Sequence, residues 1–165
     1  MSTRAVAFAI LLISALPANP SGIAPRASRA EYEVTCFTES LALGASVLSR
    51  DRVRRLFGNE VDNEYVVVEV GFYSKSRSSY PVRHVDFTLK KPKSNDRVPP
   101  EHPTAVCERL SLKDRLGVLQ NVLLPEVTTN HAVAGYLFFR SSAWSSGRIE
   151  LDYQGNGAWL TLPLR

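Results

Sequence analysis

The stretch "NEYVVVEVGFY", residues 63–73, decides how the chain is read. Val66, Val68, Val70 and Phe72 alternate with Tyr65, Val67, Glu69, Gly71 and Tyr73, so an extended backbone places four apolar side chains on one face. The β-branched valines lose rotamer freedom in a helix and fit a pleated surface, which favours a strand. Burial of that face is worth about 1.5–3 kcal/mol per side chain. A slip of one residue would turn Glu69 inward and expose it, so the core this strand meets sets its register.

Working outward, "YEVTCFT" (32–38) has the composition of a first strand. "VRHVDFTLK" (82–90) sets Val85, Phe87 and Leu89 against His84, Asp86, Thr88 and Lys90. "HAVAGYLFFR" (131–140) is apolar on both faces and reads as a central strand. "RIELDY" (148–153), the turn "QGNG" (154–157) and "AWLTLPL" (158–164) form a hairpin, in which Trp159 is expected to fill the core between sheets. The period changes in "LSRDRVRRLFG" (48–58): Ser49 suits an N-cap, Leu48 and Val53 a hydrophobic staple, and Gly58 a stop. Val53, Leu56 and Phe57 would line one side of a short helix. "KPKSNDRVPPEHP" (91–103) has four prolines and reads as an exposed loop. In 104–126 a strand around Cys107 and a helical turn over 112–116 are expected. Short alternating strands separated by polar turns predict an all-β protein, an antiparallel β-sandwich with a short helical insertion.

The chain opens differently. A short region with Arg4 leads into the apolar run 5–16, and Pro17 and Pro20 follow. A run of 12 residues falls short of the roughly 20 that span a bilayer, and it reads as a secretory signal peptide over 1–22. Two cleavage points compete: "LPA" ending at Ala18, with a large Leu16, and "SRA" ending at Ala30, farther from the apolar run. Residues 23–30 read as a linker and 31–165 as one domain. The product is expected to be exported, periplasmic or extracellular, with no transmembrane span after signal removal. In an oxidising compartment the pair Cys36 and Cys107 invites a disulfide, closing a loop of about 70 residues for about 4 kcal/mol. Two separate buried thiols are the alternative.

With 165 residues, 44% hydrophobic and 22% charged, the chain can bury its own core, which excludes a disordered or collagen-like protein. A net charge of +4 without a concentrated basic face does not point to nucleic acid. No G-x-S-x-G elbow occurs, Ser141, Ser142, Ser145 and Ser146 lie in turn-like sequence, and His84 and His131 have no spacing that makes either a base. His84 and Asp86 share a strand face, yet two ligands are too few for a metal. No catalytic residue, metal ligand or cofactor is therefore assigned. Contact residues are sought among exposed aromatics and arginines: Trp144, Tyr136, Arg54 and Arg55.

The order of "YVVVEVGFY", "VDFTL", a proline-rich loop, "AVAGYLFF" and "RIELDY" resembles a group of bacterial exported immunoglobulin-like domains, over residues 65–153. Pro125 and Gly135 keep the proline turn and the glycine-aromatic strand of that pattern, whereas the helix at 48–58 departs from a minimal sandwich. The resemblance implies an interaction or accessory role outside the cytoplasm. Together these readings predict an exported, non-catalytic domain that binds another envelope or extracellular protein; a carbohydrate-binding module using exposed aromatics is the alternative.

Overall fold

In the computed structural model, which describes residues 22–75, 79–91, 96–141 and 148–165, the valine-rich stretch is strand β3 (Tyr65–Ser74). Val68, Val70 and Phe72 are fully buried and Val66 packs beside them. The first four-stranded antiparallel sheet runs β1 (Val34–Phe37), β2 (Leu41–Val47), β3 and β8 (Val133–Arg140). A second runs β10 (Ala158–Leu164), β9 (Ile149–Gly155), β5 (Phe87–Lys90) and β6 (Arg97–Val98). A two-stranded ribbon, β4 (Tyr80–Val82) with β7 (Val127–Thr129), completes the pairing. Leu43, Val70, Phe72 and Leu137 of the first sheet meet Phe87, Leu89, Leu151, Tyr153 and Leu162 of the second in one core. This is the antiparallel sandwich that the two-residue period predicts.

Asn156 and Gly157, with φ of 53° and 72°, form the two-residue turn between β9 and β10; positive φ at both centres matches the twist of the hairpin. Helix α1 (Arg50–Phe57) starts at Ser49, whose hydroxyl accepts from the Arg52 amide, and stops at Gly58 with φ 99°. Val53 and Phe57 are buried while Leu56 is 43% exposed, so Leu56 lies off the face expected for it. Val85 is exposed too, because residues His84–Asp86 make a 3-10 turn before the strand begins at Phe87.

The turn expected over 112–116 is present as a 3-10 turn at Lys113–Arg115, and the helical content exceeds that turn and the one short helix expected. Helix α2 (Asn59–Glu64) follows α1 directly, and the segment 104–126 contains α3 (Pro103–Arg109) and α4 (Leu116–Val122) where a strand around Cys107 is expected. Pro103 at the first turn and the His102 ring nitrogen accepting from the Thr104 amide start α3. These helices cover the outer face of the first sheet. Phe57, Val61, Val106, Cys107 and Leu119 pack on Tyr65, Val67, Tyr136 and Phe138, making a second core.

Strand β8 is buried on both faces, yet it sits at the sheet's edge and not its centre. Three other segments close that edge: Ile23, Leu124 and Glu101 donate backbone N–H groups to the carbonyls of Ala134, Tyr136 and Phe138 at 2.9, 3.1 and 2.7 Å.

No Cys36–Cys107 bridge forms; both cysteines are free thiols. Cys36 on β1 packs against the sandwich core and Cys107 on α3 lies in the helical core, so a whole sheet separates them. Burial pushes both thiols upward in pKa.

Within residues 23–30, read from composition as a linker, Ile23 and Arg26 bond to the first sheet while Ala24 and residues 27–30 are exposed. Gly44, Gly71 and Ala134 stand opposite one another on β2, β3 and β8, leaving a shallow trench across the sheet. The Tyr32 ring fills it above the two glycines: a Cβ on Gly44 would meet Tyr32 Cδ2 at 2.5 Å, and one on Gly71 would meet its Oη at 2.2 Å. Gly22 and Ile23 donate to the carbonyls of Asn121 and Ala134 at 2.8 and 2.9 Å. The apolar run 5–16 lies outside the described residues, and among the described ones no helix is long and apolar enough to cross a membrane.

Candidate functional site

Of the residues marked from sequence as contact candidates, Tyr136, Arg54 and Arg55 lie among the described residues and do not share one exposed surface. Trp144 lies outside the described residues. Tyr136 is only 5% exposed, its ring edge-on to Phe57 at 5.5 Å, and burial raises its hydroxyl pKa; it belongs to the helical core and offers no surface. Arg55 is exposed on α1. Arg54 is engaged, its Nε donating to Asp62 Oδ2 at 2.7 Å while Arg50 Nε donates to Oδ1 at 3.1 Å. Burial of Asp62 opposes its ionisation, but the hydrogen bonds from Arg50 and Arg54 outweigh it and hold the carboxyl below its ordinary value. Arg50 and Asp62 line a cleft of about 300 Å3 with Asn63, Tyr65 and Ser141.

The histidines are likewise taken up by local structure. His84 Nε2 lies against the Leu124 carbonyl, its amide donates to Glu126 at 3.0 Å, and His102 caps α3. His131 gives its carbonyl to Tyr80 Oη at 2.9 Å, and Ser141 donates to the Asn63 carbonyl at 3.2 Å.

A different surface emerges from the second sheet. Along β10, Leu162 and Leu164 are buried and Leu160 packs beside them, so Trp159, Thr161 and Pro163 point the other way. Trp159 is 60% exposed, which overturns its placement between the sheets. It stands beside Gln154 on β9, in the row before Thr161, Asp152 and Thr88. Pro163 fits here because an edge strand tolerates the loss of an N–H, and the neighbouring Thr161 carbonyl points to the same free side, where it meets Cys36 Sγ at 3.8 Å.

Asp152 lies at the middle of this face and is 2% exposed. Thr161 Oγ1 donates to its Oδ1 at 2.6 Å, while Lys90 Nζ and Arg97 Nη1 lie 3.0 and 3.2 Å from Oδ2. Asp152 raises the Lys90 ammonium pKa above its ordinary value. Arg97 reaches from β6 over the carboxylate until its guanidinium is 5.5 Å from the centroid of the Trp159 ring. The face is thus an exposed indole held against a network of two cations and one buried anion. At its hairpin end a hollow of about 470 Å3 opens between Trp159, Gln154, Asn156 and Arg83, the last pinned to Asp86 at 2.8 Å.

The signal for this face was present in the sequence, since Trp159, Thr161 and Pro163 alternate with three leucines. The partnership of Asp152 with Arg97 was not, because β6 has only two residues and adjoins a proline-rich loop.

The fold and this face define an antiparallel β-sandwich with helices over one sheet and an open, aromatic and charged face on the other. No protein-family model matches the chain, and no curated protein matches it. Among solved structures it is similar to a chain described as "a putative lipoprotein (ycdA)" from Bacillus subtilis, with 18% sequence identity and a TM-score of 0.48. The match covers 81% of this chain and 38% of that one.

Proposed function

We propose that this protein is an exported, immunoglobulin-like sandwich domain that binds another envelope or extracellular protein without turnover, and that the outer face of its second sheet makes the contact. The observation that carries the reading is Trp159, 60% exposed on that face beside Arg97. A tryptophan and an arginine are the residue types that dominate binding energy at protein interfaces. The signal-like run 5–16 supports export, and the two antiparallel sheets packed face to face support the immunoglobulin-like class.

The same exposed ring favours a second reading, in which the apolar face of a sugar stacks on Trp159 while Arg97, Gln154 and Asn156 meet its hydroxyls. One comparison separates the two. Immobilised protein is exposed to a native envelope extract, beside Trp159→Ala and Arg55→Ala variants. Retention of a protein that Trp159→Ala loses and Arg55→Ala keeps is the expected result. Retention abolished by soluble oligosaccharide selects the glycan. Retention that ignores Trp159→Ala overturns the assignment of this face, and turnover of an ester, peptide or glycoside substrate overturns the non-catalytic role.

A further inference from the structure

The two candidate ends of the leader have different structural consequences. Cleavage after Ala30 would discard residues 22–30, of which Ile23 and Arg26 are bonded to the first sheet. Arg26 lies over the Tyr32 ring at 4.5 Å and clamps Glu69 with both ends of its fork, Nε to Oε1 at 2.8 Å and Nη2 to Oε2 at 2.9 Å. Glu69 is 2% exposed, and its other cation, Arg52, stays 3.8 Å away. Tyr73 Oη donates to the Arg26 carbonyl at 2.9 Å. Ser28 and Glu31 cap the turn that leads into Tyr32, each side chain bonding the other's end of the turn. Ile23 closes the edge of β8 at Ala134.

A chain beginning at Glu31 would keep Tyr32 but lose the contacts made by Ile23, Arg26 and Ser28. It would leave a buried carboxylate without its bidentate cation, and an open edge where Ile23 had paired. A discarded leader has no use for such contacts. We infer that the leader ends at Ala18, so that the mature chain begins at Asn19 and retains the whole strap. The inference rests on the reading of the first residues as an export signal. The step is hydrolysis by a membrane-bound leader peptidase: water adds across the Ala18–Asn19 peptide bond, leaving a carboxylate on Ala18 and an amine on Asn19. The new terminus then stands three residues ahead of Gly22, whose amide bonds Asn121. "LPA" puts the small Ala18 at the cut, with the large Leu16 two residues before it.

The full chain is expressed in a bacterial host with an export pathway, and the exported product is read by intact mass and N-terminal sequencing. A product starting at Asn19 is expected. Ala18→Arg should hold the protein at precursor mass, whereas Ala30→Arg, at an exposed position, should leave the start at Asn19. A product starting at Glu31, or processing blocked by Ala30→Arg and not by Ala18→Arg, overturns the inference and leaves export intact. A product that keeps Met1 overturns both.

Discussion

At the scale of single residues, the buried acids show how both sheets and helix α2 carry charge beside apolar side chains. Glu69, Asp62 and Asp152 are each less than a tenth exposed, and each meets guanidinium or ammonium groups whose own ends reach water. At Asp62 the pair holds the carboxyl below its ordinary value although burial opposes ionisation. Asp62 makes this measurable. Its folded pKa is lowered below its ordinary value, so its pair with Arg50 and Arg54 stabilises the fold fully above about pH 4. That contribution disappears as pH falls through the lowered folded value, since the unfolded chain then binds the proton first. The stability gap between wild type and Asp62→Asn, measured by urea unfolding, should therefore be constant from neutrality to about pH 5 and close below about pH 4. A gap that persists at low pH would mean that Asp62 acts through packing and not charge.

At the scale of elements, small residues direct where segments lie. Strand β2 escapes a reading by period, because Ala42, Gly44 and Ser46 present almost nothing opposite Leu41, Leu43 and Ala45; that emptiness makes the trench for Tyr32. Alanine at Gly71 would place its Cβ 2.2 Å from Tyr32 Oη, so Gly71→Ala should destabilise by about 1–3 kcal/mol. In a Tyr32→Ala background the same substitution should be close to neutral, because strand geometry itself disfavours glycine. Additive effects in that double-mutant cycle would remove the strap from the trench. The elements that were legible, β3, α1 and the β9–β10 hairpin, are those whose local signals agree: alternating valines, a Ser49 cap with a Gly58 stop, an Asn-Gly turn. Those that were not, α3 and α4, are seven-residue helices whose apolar positions suit a strand equally well, and tertiary contact with Phe138 and Tyr136 decides for them. The candidate face was half legible. Alternation turns Trp159 outward, but a large aromatic near the end of a sandwich also suits its core, and only the neighbouring leucines break the tie.

At the scale of the molecule, the first sheet serves two cores at once. Leu137 and Phe139 point into the sandwich while Tyr136 and Phe138, from the same strand, point into the helices. The helical layer is therefore part of the domain and not an appendage, and the open face of the second sheet stands on both layers. Phe57 tests this. It is 2% exposed and meets Tyr136 and Phe138 edge-on, with ring centroids 5.5 and 5.3 Å apart, although it comes from a helix joined to the sheet by short turns. Phe57→Ala leaves a cavity between layers and should cost about 3–5 kcal/mol. Because β8 cannot loosen toward the helices without loosening toward the sandwich, the loss should lower one shared transition. Urea unfolding followed by far-ultraviolet circular dichroism and by tryptophan fluorescence should then give coincident curves, shifted together to lower denaturant. If, in a Trp144→Phe background, the helical signal falls first and Trp159 fluorescence keeps its midpoint, the layers unfold as separate units, and binding at the second sheet would not depend on the helices.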